Sequence, residues 1–567
     1  MRRSLAPVLA ALLALSCSTA TPPPQQPVHI VIVGTTDVHG WFGGRDVQGV
    51  HYGGVAILKS YVDALRAANG GRVVVVDSGD LFQGTLESNL FEGEPVVRAY
   101  NAIGYTASAV GNHEFDFGPV GPDSVPQTPD QDPLGALKRN ASLAKFPFLA
   151  ANIVDKATHQ TPAWAKKSII IDVGGAKVGI IGLANPDTPN TTTAANVVSL
   201  DFLKAEQPAI DEAAKLRGAG ADAVIAIAHI GGKCKETGDP NDLSKCDPSQ
   251  DVMRVVGALP AGTVDAFFAG HTHDNIRNVI NGTPTVEAYN YGESFSTIDL
   301  WVDPRAHHVI RSEIRPHTML CTAVYSGTEK CNPRNAPKGA TLVPRVFEGK
   351  TMIADPEVAA IVKPFLDQTE AKRNEATGIT TTKEIRRDYD YESPLGDLIA
   401  DTLREWGNAD VGLMNSGGIR ANLPAGMLKY GDVFEVSPFD NYCSLVTMTG
   451  AQLAQALHDN VSGDRGILQV SGLRYTRDDK THTIVSSTLD PNATYRVALP
   501  DFLVQGGDGF LGAMQTVPPD HIRIERNLTM RDVMIDVLRK HPQPISSKVE
   551  GRVTVLNGPE RRPANSP

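Results

Sequence analysis

The six cysteines include no Cys-x-x-Cys pair, which argues against a cysteine-built zinc site. Positive charge is not in excess either. Lys and Arg number 53 against 64 Asp and Glu, a formal net charge of -11, which argues against a nucleic-acid polymer as the main partner. No internal repeat is found, and the apolar run Leu5 to Leu15 is too short to span a bilayer as a helix. At 41% hydrophobic and 21% charged residues, the composition is neither that of a disordered chain nor that of a membrane-embedded one.

What is present begins with an export signal. Arg2 and Arg3 precede the apolar run, which ends in Ala14-Leu15-Ser16-Cys17 and resembles a bacterial lipoprotein cleavage box. Ordinary signal cleavage is the alternative. The stretch TPPPQQP then serves as an extended tether. The expectation is an exported protein, periplasmic or at the cell surface, touching the membrane only through a lipid on Cys17. The spacings of Cys234 with Cys246 and of Cys321 with Cys331 suggest two local disulfides and leave Cys443 single. Free buried thiols are the alternative.

A chain of 567 residues is too long for one core, so two or more domains are expected. From Val28, the apolar stretches HIVIVGTTD, RVVVVDSGD, TASAVGNHE, KVGIIGLAN, DAVIAIAHI and VDAFFAGHTHD read as strands. Amphipathic stretches such as GGVAILKSYVDALRAAN lie between several of them, which predicts an α/β layered domain. Five of the six reach Asp, Asn or His within a few positions of the apolar residues, where open α/β sheets collect ligands. KVGIIGLAN is expected to be structural. The period is lost around 316–350, and residues 356–376 read as a connecting helix. A second domain follows, with a helix start at Ser393-Pro394 and an inward stripe of Leu398, Ile399, Thr402, Leu403 and Trp406. The tail after Asn557 is polar, rich in proline and expected to be disordered.

In order, the strand ends present Asp37-Val38-His39, Gly79-Asp80, Gly111-Asn112-His113, His229 and Gly270-His271-Thr272-His273. Carboxylate, imidazole and amide oxygen together suit borderline divalent metals such as zinc, manganese or cobalt. Any one of these motifs is common in turns, but the ordered set is not. Isolated histidines such as His29 and His51 are expected to be ordinary surface or core groups. With this set the chain resembles the calcineurin-like metallophosphoesterases, whose pattern runs D-x-H, GD, GNH(D/E), H and GHxH.

The later stretches YESPLGDLIAD, MNSGGIRANL, VSPFDNY and LPDFLVQGGDGF narrow the resemblance to the 5'-nucleotidase and UDP-sugar hydrolase family. The resemblance implies an α/β metallophosphoesterase domain, a layered β-sheet structure with flanking helices, over 28–345. A connector helix (346–376) and an α+β nucleotide-binding domain (377–556) follow. Residues 1–17, 18–27 and 557–567 are then signal, linker and tail.

Two divalent ions are implied, the first held by Asp37, His39, Asp80 and His273. The second takes Asp80 as a bridge, with Asn112, His229 and His271. His113 and Asp116 are implied as a catalytic dyad, with the carboxylate orienting the imidazole and favouring its protonated form. Glu114 has no implied role and is expected at the surface.

In the second domain the resemblance makes Arg420 a phosphate clamp and Phe439 and Phe502 the two faces of a base sandwich. Asn415 and Asn441 become substrate contacts, and Asp508 a ribose acceptor. Several relatives carry an arginine where Tyr389 and Tyr391 stand here, so Arg386 and Arg387 just upstream are the candidate phosphate contacts. The implied activity is hydrolysis of nucleoside 5'-monophosphates, with UDP-sugars as further substrates. The alternatives are a 2',3'-cyclic-nucleotide phosphodiesterase with 3'-nucleotidase activity, or a surface nucleotide-binding lipoprotein whose catalysis has lapsed. Nothing in the sequence indicates a protein partner.

Overall fold

The computed structural model describes residues 26–559, apart from 48, 49, 236, 334, 335 and 464. The expected export signal, Cys17 and most of the tail lie outside the described residues.

Strand Val28–Thr35 has no polar alternation because both of its faces are covered. Ile30 and Ile32 point to one face, where they meet Val178, Ile180, Ile225 and Phe268 of a second sheet. Val31 and Val33 point to the other, into a core shared with Tyr61, Val62, Val96 and Tyr100 of helices Val55–Ala68 and Glu94–Ile103. The sheets approach closely: a Cβ on Gly34 would stand 2.3 Å from the Phe268 ring.

The first sheet runs His308–Ile314, Ser294–Asp303, Val28–Thr35, Val73–Asp77, Ala107–Ala109, Phe148–Leu149. The second runs Asn275–Ile280, Thr283–Ala288, Ala266–Phe268, Ala223–Ala228, Ala176–Leu183, Ser168–Val173. Helices Glu206–Gly218 and Asp251–Ala258 cover its outer face through Ala213, Leu216, Val252 and Val255. The result is a helix–sheet–sheet–helix sandwich. The central strands of each sheet are parallel, so each sheet gathers their carboxyl ends along one edge. Loops from those edges lace together across the sheets. The Ser78 hydroxyl donates to the Phe268 carbonyl at 3.0 Å, and the His271 N–H donates to the Asp37 carboxylate at 3.0 Å.

Helix Pro356–Arg373 starts with proline in its first turn, and the Asp355 carboxylate accepts the Val358 N–H at 2.9 Å. Val358 and Val362 seat it on the first domain. Arg373 at its far end pairs with Glu87 of the first domain and, at 3.5 Å, with Glu435 of the second.

The second domain is built on a five-stranded sheet in the order Leu468–Ser471, Val411–Asn415, Thr494–Pro500, Tyr442–Thr449, Ile522–Thr529, with one parallel pair. Ser393 caps helix Pro394–Gly407, accepting the Gly396 N–H at 3.0 Å. Ile399, Thr402 and Leu403 are buried, and Leu398 and Trp406 are half-buried at the margin of the stripe. Helix Gly450–Ser462 covers the opposite face through Leu453 and Leu457.

Cys234–Cys246 and Cys321–Cys331 are disulfides, and Cys443 is a buried thiol. No described helix is long and apolar enough to cross a membrane.

Candidate active site

Six of the seven predicted ligands form two groups, Asp37–His39–His273 and Asp80–His229–His271. In the first, His39 Nε2 lies 2.9 Å from His273 Nε2 and 3.8 Å from Asp37 Oδ1, and His273 Nε2 lies 3.3 Å from the same oxygen. In the second, His229 Nε2 lies 3.0 Å from Asp80 Oδ2, 3.2 Å from His271 Nδ1 and 3.1 Å from Oδ1 of Asn112, the seventh ligand. Asp80 Oδ2 also stands 3.7 Å from His39 Nε2, so one carboxylate oxygen faces both groups. Donors bound at about 2.0–2.2 Å to one tetrahedral cation stand roughly 3–3.5 Å apart, so this donor set fits a divalent cation in each group. His29 and His51 take no part, pairing with Asp299 and Asp46.

Five of the seven predicted ligands sit on backbone with positive φ: Asp37 at 52°, His39 at 48°, Asp80 at 60°, His271 at 85° and His273 at 56°. For residues with a Cβ this region costs on the order of 1–3 kcal/mol each and persists only where neighbours enforce it. Enforcement is visible here. The His39 N–H donates to the Asp80 carbonyl at 2.9 Å, and the His271 N–H to Asp37 Oδ2 at 3.0 Å. The imidazoles are fixed too: His39 Nδ1–H donates to the Gln83 carbonyl at 2.8 Å and His229 Nδ1–H to the Ser78 carbonyl at 2.9 Å. Both leave Nε2 free to ligate.

Glu114 corrects the sequence expectation. It is buried, not at the surface, because its carboxylate has three main-chain donors to satisfy it. Oε2 accepts the N–H groups of Asp80 at 2.9 Å and Gly111 at 2.6 Å, and Oε1 accepts that of Leu81 at 2.7 Å. It clips the Gly79–Asp80 turn to the Gly111–Asn112 turn. Glu287, which sequence reasoning missed, holds the other side. It accepts the Thr272 N–H at 3.1 Å, the Thr272 hydroxyl at 2.8 Å and the Gly232 N–H at 3.4 Å. The His271–His273 turn is thereby fixed to the loop beyond His229.

The carboxylates are driven apart electrostatically. At Asp80, burial raises the pKa, but the His229 and His113 imidazoles outweigh it and hold it well below the usual range. Glu114 has burial and Asp80 repulsion acting together and is pushed up to about 8.

His113 Nδ1 is 2.5 Å from Asp116 Oδ2, and its Nε2 is 4.0 Å from Asp80 Oδ2. Burial lowers the imidazole pKa, but Asp116 and Asp80 together overcome it and leave it raised.

The second domain closes over the edge of the two ligand groups, leaving a cleft of about 2160 Å³. Arg420 reaches across it, with Nη2 3.2 Å from His39 Nε2 and 3.5 Å from His273 Nε2. The Phe439 ring lies 5.5 Å from that of His113 and 5.9 Å from the Arg420 guanidinium carbon. Phe502 lines the same cleft and packs over Gly507, where a Cβ would come within 2.3 Å of the ring.

Asp508 also lines the cleft, on left-handed backbone (φ 49°). Burial pushes its carboxyl up to about 6, against Arg465 and an Asn415 hydrogen bond. Asn441 donates to Asp501 at 3.2 Å. Arg386 and Arg387 are at the cleft wall, Arg386 beside Glu384 at 3.0 Å and Arg387 donating to the Ile419 carbonyl at 2.7 Å, beneath the loop that carries Arg420.

Comparison with known proteins agrees with both halves of this architecture. Residues 30–275 match the calcineurin-like phosphoesterase family, and residues 371–515 match the 5'-nucleotidase C-terminal domain. A 5'-nucleotidase of Vibrio cholerae is 28% identical over 88% of this chain and 90% of its own length. A cell wall protein of Listeria monocytogenes is 26% identical over 85% of this chain, which spans only 64% of that protein. The solved 5'-nucleotidase precursor of Thermus thermophilus shares the fold, with a TM-score of 0.73 at 23% identity over 94% of this chain and 100% of that one. The chain is thus a metallophosphohydrolase of 5'-nucleotidase type, a calcineurin-like phosphoesterase domain joined to a 5'-nucleotidase C-terminal domain.

Proposed function

We propose that this protein is an exported hydrolase that cleaves nucleoside 5'-monophosphates to nucleoside and phosphate, with UDP-sugars as further substrates. The observation that carries the reading is the meeting of the two domains. A guanidinium and an aromatic ring from the second stand against the ligand groups and the His113–Asp116 pair of the first. A ligand with a phosphate for the guanidinium and a flat ring for the aromatic side chain suits this cleft.

Asp37, His39, Asp80 and His273 would hold one ion, and Asp80, Asn112, His229 and His271 the other, with zinc, manganese or cobalt the ions this donor set suits. Such ions lower the pKa of water and neutralise charge on phosphoryl oxygens. Arg420 orients the phosphate by a forked contact. His113, whose protonated form Asp116 favours, stabilises charge on the phosphoryl group or donates a proton to the leaving 5' oxygen. Phe439 and Phe502 hold the base, and Asp508 with Asn415 accepts the ribose hydroxyls. The complete ligand set and dyad argue against a lapsed enzyme.

A panel of AMP, UDP-glucose and 2',3'-cyclic AMP on metal-reconstituted protein tests the reaction class; a cyclic diester as the fastest substrate would overturn it. Phe439→Ala combined with Phe502→Ala tests the nucleotide end. Stacking is worth roughly 1–3 kcal/mol per base, so KM for AMP should rise 10-fold or more. Hydrolysis of p-nitrophenyl phosphate, which lacks the base, should be nearly unchanged; equal losses on both substrates would make the rings structural. For the export signal, Cys17→Ser should release the protein from the membrane fraction, and a wild type already soluble would rule out the lipid anchor.

A further inference from the structure

Strand Ala176–Leu183 supplies no ligand, and its carboxyl end was expected to be structural. The segment that follows lines the cleft instead, with Asn185, Asp187, Thr191 and Thr192 on its wall. Two consecutive residues of it touch two functional groups. The Thr191 carbonyl accepts the Asn112 amide N–H at 2.9 Å, which leaves Asn112 Oδ1 facing His229. The Thr192 hydroxyl donates to Asp116 Oδ1 at 2.7 Å, while the other oxygen of that carboxylate holds His113 Nδ1 at 2.5 Å.

The segment is braced well enough to act as a fixed wall. Asn152 holds Ala184 through both its N–H and its carbonyl, each at 2.8 Å. The Asp187 N–H donates to Asn185 Oδ1 at 2.8 Å, and the Thr192 N–H to the Thr188 carbonyl at 3.1 Å. Thr192 itself is 2% exposed, so its hydroxyl is shielded from competing water.

We infer that Thr192 is a positioning residue for the His113–Asp116 pair. The torsion that rotates a carboxylate about its last bond is broad when nothing fixes it. A second donor on Oδ1, carried by a wall that does not belong to the His113 turn, removes that freedom. It thereby sets the direction in which the imidazole presents Nε2 to the substrate. Thr192 touches Asp116 and none of the reacting atoms. The inference rests on the reading of His113–Asp116 as the working pair.

The test uses full-length, metal-loaded protein with AMP. Thr192→Val keeps the shape and removes the donor; Thr192→Ser keeps the donor. A hydrogen bond to a charged group has an effect of roughly 10-fold or more, and Thr192→Val should lower kcat by that factor while KM changes by less than about twofold. Thr192→Ser should recover most of the rate. Metal content and the thermal midpoint of both variants should match wild type. His113→Ala is measured alongside. If it falls while Thr192→Val keeps the wild-type kcat, the positioning role is overturned and the pair stands. If His113→Ala itself keeps full turnover, the pair is overturned. A Thr192→Ser as slow as Thr192→Val, or a Thr192→Val that loses metal or thermal stability along with rate, makes Thr192 a packing residue and overturns the role as well.

Discussion

Asp80→Asn is expected to lower AMP hydrolysis on the order of 10³-fold or more while leaving the fold in place. The two carboxylate oxygens have different duties. Oδ1 accepts the His113 N–H at 2.8 Å, and Oδ2 stands 3.0 Å from His229 Nε2 and 3.7 Å from His39 Nε2. An asparagine must keep its carbonyl oxygen on the His113 N–H, because that donor is buried and costly to leave unpaired. Its NH₂ group is then turned toward the imidazoles, where it offers a donor in place of a ligand. The negative charge shared by both groups is lost at the same step. Metal analysis should show at least one fewer ion per chain, with a thermal midpoint close to wild type in the metal-free state. Full metal content with full turnover would show that Asp80 is not the bridge.

His113→Ala should behave differently, keeping both ions and losing rate. Its ring belongs to neither ligand group: Nδ1 is committed to Asp116, and Nε2 lies 4.0 Å from Asp80 Oδ2. Burial opposes protonation of this ring, but Asp116 and Asp80 outweigh it and raise its pKa, which favours the imidazolium form. A general acid or charge stabiliser of this kind contributes on the order of 10²-fold or more, and the loss should fall on kcat with KM little altered. Steady-state kinetics with metal analysis on the same sample separates this from Asp80→Asn. Wild-type turnover in His113→Ala would remove the dyad from the mechanism.

The layered fold was legible because both faces of strands such as HIVIVGT are covered, which writes continuous apolar runs into the sequence. Ser393-Pro394 announced a helix for an equally local reason, a cap followed by a residue preset for the first turn. Ligand candidates could be picked out because chemistry confines metal ligands to a few residue types and the topology puts them at strand ends. What the sequence hid is the support around them. Glu114, Glu287 and the Thr191 carbonyl act through main-chain N–H, carbonyl and amide partners, which leave no spacing to read. The left-handed backbone at Asp37, His39, Asp80, His271 and His273 is equally silent, since none is glycine. Nor does the sequence show that Arg420, more than 300 positions after His39, ends within 3.2 Å of it.

The expectation is that two cations held by the first domain act on a nucleotide gripped by the second. Its most direct test is phosphate release from AMP by purified protein, stripped with a chelator and titrated back with zinc, manganese or cobalt. Stripped protein should release negligible phosphate, and recovery should saturate near two ions per chain. Full activity after complete metal removal, or no phosphate release from AMP with both ions bound, would contradict it.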